Sequence, residues 1–155
     1  MIHLIKMELL MKNRTPYDEA LRIIKKKKAN LRQVVCLLKK ALKTKDVRAA
    51  YALGTWYLHG KFFKKDVNKA VIYLQLAAAG EVPNALYDLA VCYEKGVGTK
   101  KNEKKAFMLY FQAALLGEKQ SVYEIGRCFY YGIGIEKNRG IANVCLDRAK
   151  QLGCK

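Results

Sequence analysis

Apolar residues recur in this chain with two nested periods. Over residues 49–58, Ala-Ala-Tyr-Ala-Leu-Gly-Thr-Trp-Tyr-Leu spaces its large apolar side chains three and four apart, one face of an α-helix. Over a longer range the same columns return every 36 residues: Leu53, Leu89 and Ile125; Tyr57, Tyr93 and Phe129; Gly60, Gly96 and Gly132; Ala70, Ala106 and Ala142. A period of that length marks stacked supersecondary units rather than one mixed core. Each unit predicts a helix pair. In the first, the periodic run stops at Gly60, suited to the left-handed position that follows a helix. A loop over 61–65 leads to Asp66, which caps a second helix over 67–79 by accepting from its free amides. Gly80 ends that helix, and residues 81–84 lead onward. The second unit, from Ala85, has loop Gly96-Val97-Gly98 and cap Asn102; the third, from Ser121, has loop Gly132-Ile133-Gly134-Ile135 and cap Asn138. The units are thus 49–84, 85–120 and 121–155, following a divergent segment 1–48.

Small residues sit inside the first helices at Gly54, Ala90 and Gly126. Glycine there costs about 1 kcal/mol against alanine. Keeping it implies that a neighbouring helix comes close, with Ala70, Ala106 and Ala142 answering from the second helix.

The second unit reads Ala85, Leu89-Ala90, Tyr93, Gly96-Val97-Gly98, Asn102, Lys105-Ala106, Ala113-Ala114, Gly117. This resembles the Sel-one-like repeat (SLR), a relative of the tetratricopeptide repeat, and the likeness extends over residues 49–153. It implies an all-α fold: a right-handed α-solenoid of stacked antiparallel helix pairs, about seven to eight helices. Two departures stand out. Phe62 replaces the second loop glycine of unit one. Unit three has Gly140 beside Ala142, and Arg148-Ala149 for the alanine pair.

Residues 30–45 align with a second helix: Asn30 with Asp66, Val34 with Ala70, Ala41 with Ala77. Before them, Thr15-Pro16-Tyr17-Asp18 is a helix start, with Thr as N-cap and Pro in the first turn. That helix is expected to reach Lys28 and to bury Leu21 and Ile24, completing a divergent pair that caps the stack. Residues 1–12 are expected to form a short helix or tail packed on this cap. Their apolar run is broken by Lys6, Glu8 and Lys12 and precedes no small-residue cleavage site, so it does not read as a signal peptide. The expected setting is the cytoplasm, with no membrane span.

Composition adds a strong charge. Thirty Lys and Arg against thirteen Asp and Glu give +17. The densest run is Lys25, Lys26, Lys27 and Lys28, backed by Arg22, Arg32, Lys39, Lys40 and Lys43. Such a surface attracts polyanions. Lysine outweighs arginine and no aromatic interleaves the run, which fits diffuse attraction better than nucleic-acid readout. Five cysteines without a CxxC pair give neither a zinc site nor a full disulfide framework.

No catalytic constellation emerges, and no metal, cofactor or small-molecule substrate is expected. His59 closes a helix, where an imidazole favours the dipole. The Gly-x-Gly turns follow helices rather than strands and lack a GK[ST]. Asp88, Glu124 and Glu94 read as solubility or helix-start charges. By the resemblance, a partner meets the concave face at Tyr51, Thr55, Leu58 and His59, then Tyr87, Val91, Glu94 and Lys95, then Tyr123, Arg127, Tyr130 and Tyr131. Trp56 reads equally as packing or as an anchor. The expectation is a non-enzymatic module binding an acidic protein or peptide, in its narrower form a toxin-neutralising immunity protein. The alternative is an RNA- or DNA-binding protein using the lysine run.

Overall fold

The computed structural model describes residues 14–154, and within them eight α-helices and no strand. They are α1 (Pro16–Ile24), α2 (Leu31–Lys43), α3 (Val47–His59), α4 (Val67–Ala79), α5 (Pro83–Lys95), α6 (Glu103–Leu115), α7 (Lys119–Tyr131) and α8 (Arg139–Gln151). Each packs chiefly on its sequence neighbours, so the pairs α1–α2, α3–α4, α5–α6 and α7–α8 stack as a solenoid. The expectation for residues 1–12 lies outside the described residues.

The caps behave as the side chains dictate. Asp66, Asn102 and Asn138 accept from the amides of Lys69, Lys105 and Ile141 at 3.0, 2.9 and 3.0 Å. The first helices begin two residues earlier than the periodicity suggests. Asp46 caps α3, Pro83 opens α5, and the Glu118 carboxylate caps α7.

Glycines divide by task. Gly60, Gly96 and Gly132 take φ of 69°, 69° and 78° to end the first helices. Gly54 and Gly126 are close approaches: a Cβ would meet Leu74 at 3.0 Å and Leu146 at 2.9 Å. Gly80 ends α4 without the left-handed backbone of Gly60. Its φ is −92°, and the turn falls on Glu81 at φ 57°. Gly80 lacks a Cβ because the Val47 side chain occupies that space.

The amino-terminal pair departs from expectation at its loop. α1 stops at Ile24 and buries Ala20 and Ile23, not Leu21 and Ile24. Residues 25–28 turn and are exposed to water. α2 follows as aligned, with Asn30 as cap and Val34 and Ala41 buried.

The core runs as two clusters along the stack. One, around Trp56, Leu53, Leu38 and Ile23, joins unit one to the cap; the other joins the three units. Trp56 is 8% exposed and meets Phe62 edge-on at 4.6 Å, so it packs rather than anchors a partner. At the far end the pattern turns polar. Asn143 stands where Val71 and Phe107 are buried, and Lys150 where Ala78 and Ala114 pack. These polar side chains leave the outer face of unit three exposed to water.

Candidate functional site

Along the first helices runs a cleft of about 530 Å³. Leu58 and His59 of α3, Tyr87, Val91, Glu94 and Lys95 of α5, and Arg127 of α7 line it, so seven of the expected contact residues converge. Tyr123, Tyr130 and Tyr131 belong to a second cleft of about 480 Å³, between α7 and α8, which also touches Arg127. Tyr130 and Tyr131 pack edge-on at 4.8 Å, and Arg139 lies over Tyr130 at 5.6 Å. Tyr51 is half-buried beside Asp88. Thr55 turns inward on its own helix, donating to the Tyr51 and Ala52 carbonyls.

The cleft floor is a charge network tying three helices together. Arg127 donates to both Glu94 oxygens at 2.7 and 2.6 Å, and its Nε donates to Glu124 at 2.7 Å. The Tyr110 hydroxyl, from a side chain only 1% exposed, donates to Glu94 at 2.9 Å. Burial opposes the charge on Arg127, but its bonds to Glu94 and Glu124 outweigh that and raise its pKa. Burial, then the negative field of Glu94, holds the Tyr110 hydroxyl protonated.

Arg127 is therefore consumed within the protein. The floor holds two carboxylates to one guanidinium, and Asp88 adds a third carboxylate nearby. Burial lifts Asp88 above the usual carboxylate range, against the Tyr51 hydroxyl and His59. The positive groups Lys65 and Lys95 stand exposed at the rim. So the concave surface has an acidic interior and basic edges, a distribution the net charge conceals.

A pH prediction follows from Asp88. Its folded pKa is raised, so ionising it costs stability at neutral pH, and the cost disappears below the carboxylate's unfolded pKa. Asp88→Asn is expected to stabilise the fold at pH 7, with the difference vanishing as pH falls below about 4. Urea midpoints for both chains across that window check it; a difference that grows on acidification would reverse the sign.

The polyanion-attracting residues lie elsewhere. Lys25, Lys26, Lys27 and Lys28 are exposed in the α1–α2 turn, and Arg32, Lys39, Lys40 and Lys43 are exposed on α2. Arg22 is held by Glu19 at 2.6 Å. Cys92 and Cys128, one repeat apart, are buried, and loss of solvation pushes their thiols up to about 11 and about 12. Among the described residues no group of three or more His, Cys, Asp or Glu is placed to hold a metal ion, and no helix is long and apolar enough to cross a membrane.

Sequence reasoning missed Tyr110, and a signal was present. It stands in a column that otherwise reads Leu74 and Leu146, so a hydroxyl enters a buried leucine position and requires a partner. Glu94 breaks a column of Leu58 and Tyr130 in the same way.

Comparison with known proteins agrees with this geometry. The Sel1 repeat family model matches residues 47–81, 83–118 and 119–154. The crystal structure of a Sel1 repeat protein from Oxalobacter formigenes is 31% identical, with TM-score 0.69, covering 78% of this chain and 91% of that one. Helicobacter pylori cysteine rich protein B is 28% identical, with TM-score 0.59, covering 76% of this chain and 90% of that one. A protective antigen of uropathogenic Escherichia coli with an SLR fold is 22% identical at TM-score 0.85; 94% of this chain aligns, but only 32% of that longer one, so it bears on the fold alone. The search of curated proteins gave no match. With three matched repeats spanning most of its length and the stacked pairs they require, the chain belongs to the Sel1 repeat family.

Proposed function

We propose that this protein is a non-catalytic interaction scaffold that holds a segment of a partner protein in the cleft along its first helices. Sel1 repeats generally serve as protein–protein interaction modules. The observation that carries the reading here is the cleft itself: about 530 Å³, walled by Leu58, Tyr87 and Val91 over a floor of carboxylates. Aromatic and aliphatic walls bury a side chain, and fixed polar groups orient it. The positive field of the whole chain speeds encounter with acidic proteins. Inside the cleft the chemistry differs, because Asp88, Glu94 and Glu124 favour a partner's donor or cationic group. An acidic partner is therefore met by the rim and outer lysines, not by the floor. Neutralising a toxin is a narrower form of this reading that nothing in the geometry singles out.

The test is affinity capture from lysate with the wild-type chain, Val91→Arg, and a chain with lysines 25–28 changed to glutamine, each with and without nuclease. The expected result is one protein that survives nuclease, persists with the glutamine chain and is lost from Val91→Arg. Recovery that disappears with nuclease and with the glutamine chain, but not with Val91→Arg, would put nucleic acid on the lysine turn and retire the proposal.

A further inference from the structure

The second helices present an apolar surface that the cleft does not use. Ile72, Met108 and Val144 occupy one repeat column and remain 63%, 55% and 70% exposed. Leu76, Phe111 and Leu115 widen the stripe at 49%, 44% and 72%. Large side chains repeatedly left in water at equivalent positions mark an interaction surface rather than scattered exposure.

The surface is grooved. One groove, of about 310 Å³, lies between α2 and α4, with Leu42, Val47 and Leu76 in its lining. Another, of about 480 Å³, lies between α4 and α6, with Leu86, Leu109 and Leu115 in its lining. They are one feature repeated: Leu42, Leu76 and Ala79 of the first stand one period before Ala78, Gln112 and Leu115 of the second.

Charge is distributed unevenly beside them. α2 carries no acid, and its exposed side shows Arg32, Lys39, Lys40 and Lys43, with Lys45 at the first groove. Asp46 at that groove does not offset them, because it pairs with Arg48 at 2.7 Å. Over α4 and α6 the apolar stripe dominates, with Glu81 at the second groove.

We infer that this face docks a second element: a protein segment apolar along one side and acidic where it crosses α2. The grooves select a protein over a bilayer, since recessed pockets accept side chains whereas a lipid surface wets only the ridges. Charge selects an acidic segment and opposes a second copy, because each copy carries +17. The inference does not depend on what the cleft holds, so the two surfaces fail or stand separately.

The test selects binders to the purified chain from a displayed library of randomised helical peptides. Enriched sequences are expected to carry Asp or Glu in excess of Lys and Arg, with apolar residues three and four apart. Their affinity is expected to fall roughly tenfold or more with Leu76→Asp combined with Leu115→Asp, and to weaken when Lys39, Lys40 and Lys43 become glutamine. Val91→Arg is expected to leave them unchanged. Leu76 is 49% and Leu115 72% exposed, so the fold is expected to survive, which circular dichroism verifies. Net-basic binders, or binders indifferent to the leucine pair, would overturn the inference. So would self-association in sedimentation that the leucine pair abolishes, or binding to phosphatidylserine vesicles in place of peptides.

Discussion

Gly134→Ala is expected to destabilise the fold by about 2–5 kcal/mol, a large loss for one methyl group. Two causes act together. The residue takes φ of 70°, where a Cβ crowds its own backbone, and a Cβ built there would overlap the Glu103 carbonyl at the start of α6. That carbonyl belongs to the preceding unit and cannot rotate away as a side chain can. The glycine lets the loop of unit three close onto unit two. Gly98 repeats the arrangement against the Val67 carbonyl. Gly153 is the control: φ is 78°, but nothing lies within 4 Å, so alanine there should lose only about 1 kcal/mol. In a stack the damage is local. Amide exchange should quicken in α7 and α8 while α1 to α4 keep their protection. Equal losses at the two positions, measured by urea unfolding, would show that conformation alone, without the inter-unit contact, accounts for the glycine.

The same contact explains what was legible in the sequence. The period, helix pairs, caps and left-handed glycines were readable because each rests on local chemistry that repeats. Phe62 appeared as a departure from the pattern, and the structure supplies a reason. Its backbone is not in the left-handed region, and its ring packs on Trp56 instead of making way for a preceding carbonyl. The end of α1 and the role of Gly80 were not readable, since no glycine or proline marks the stop after Ile24 and the constraint on Gly80 is Val47 arriving from α3. The site was half legible. Seven cleft residues could be placed by column, but the sign of the cleft could not, because Arg127 meets Glu94 from 33 positions away in the chain. Net charge counts residues and is blind to such pairing.

Removing that arginine gives the second large effect. Arg127→Met is expected to destabilise the protein by about 2–4 kcal/mol, discounted from the roughly 3–5 kcal/mol of a fully buried pair because the site is partly open. Side-chain exposures of 25% for Arg127, 14% for Glu94 and 13% for Glu124 set that discount. The loss comes less from the bonds broken than from the two carboxylates left facing each other without a counter-charge. Adding Glu94→Gln and Glu124→Gln to Arg127→Met should therefore recover most of the stability, since neutral amides need no cation. Tyr110→Phe alone should cost about 1 kcal/mol, and its effect should change in the Arg127→Met background because both groups share Glu94. If the triple variant is no more stable than Arg127→Met, packing of the arginine stem rather than its charge holds units two and three together. If recovery occurs, the arginine is the internal counter-ion of the cleft, and a cation supplied by a partner would find Glu94 and Glu124 already half-neutralised.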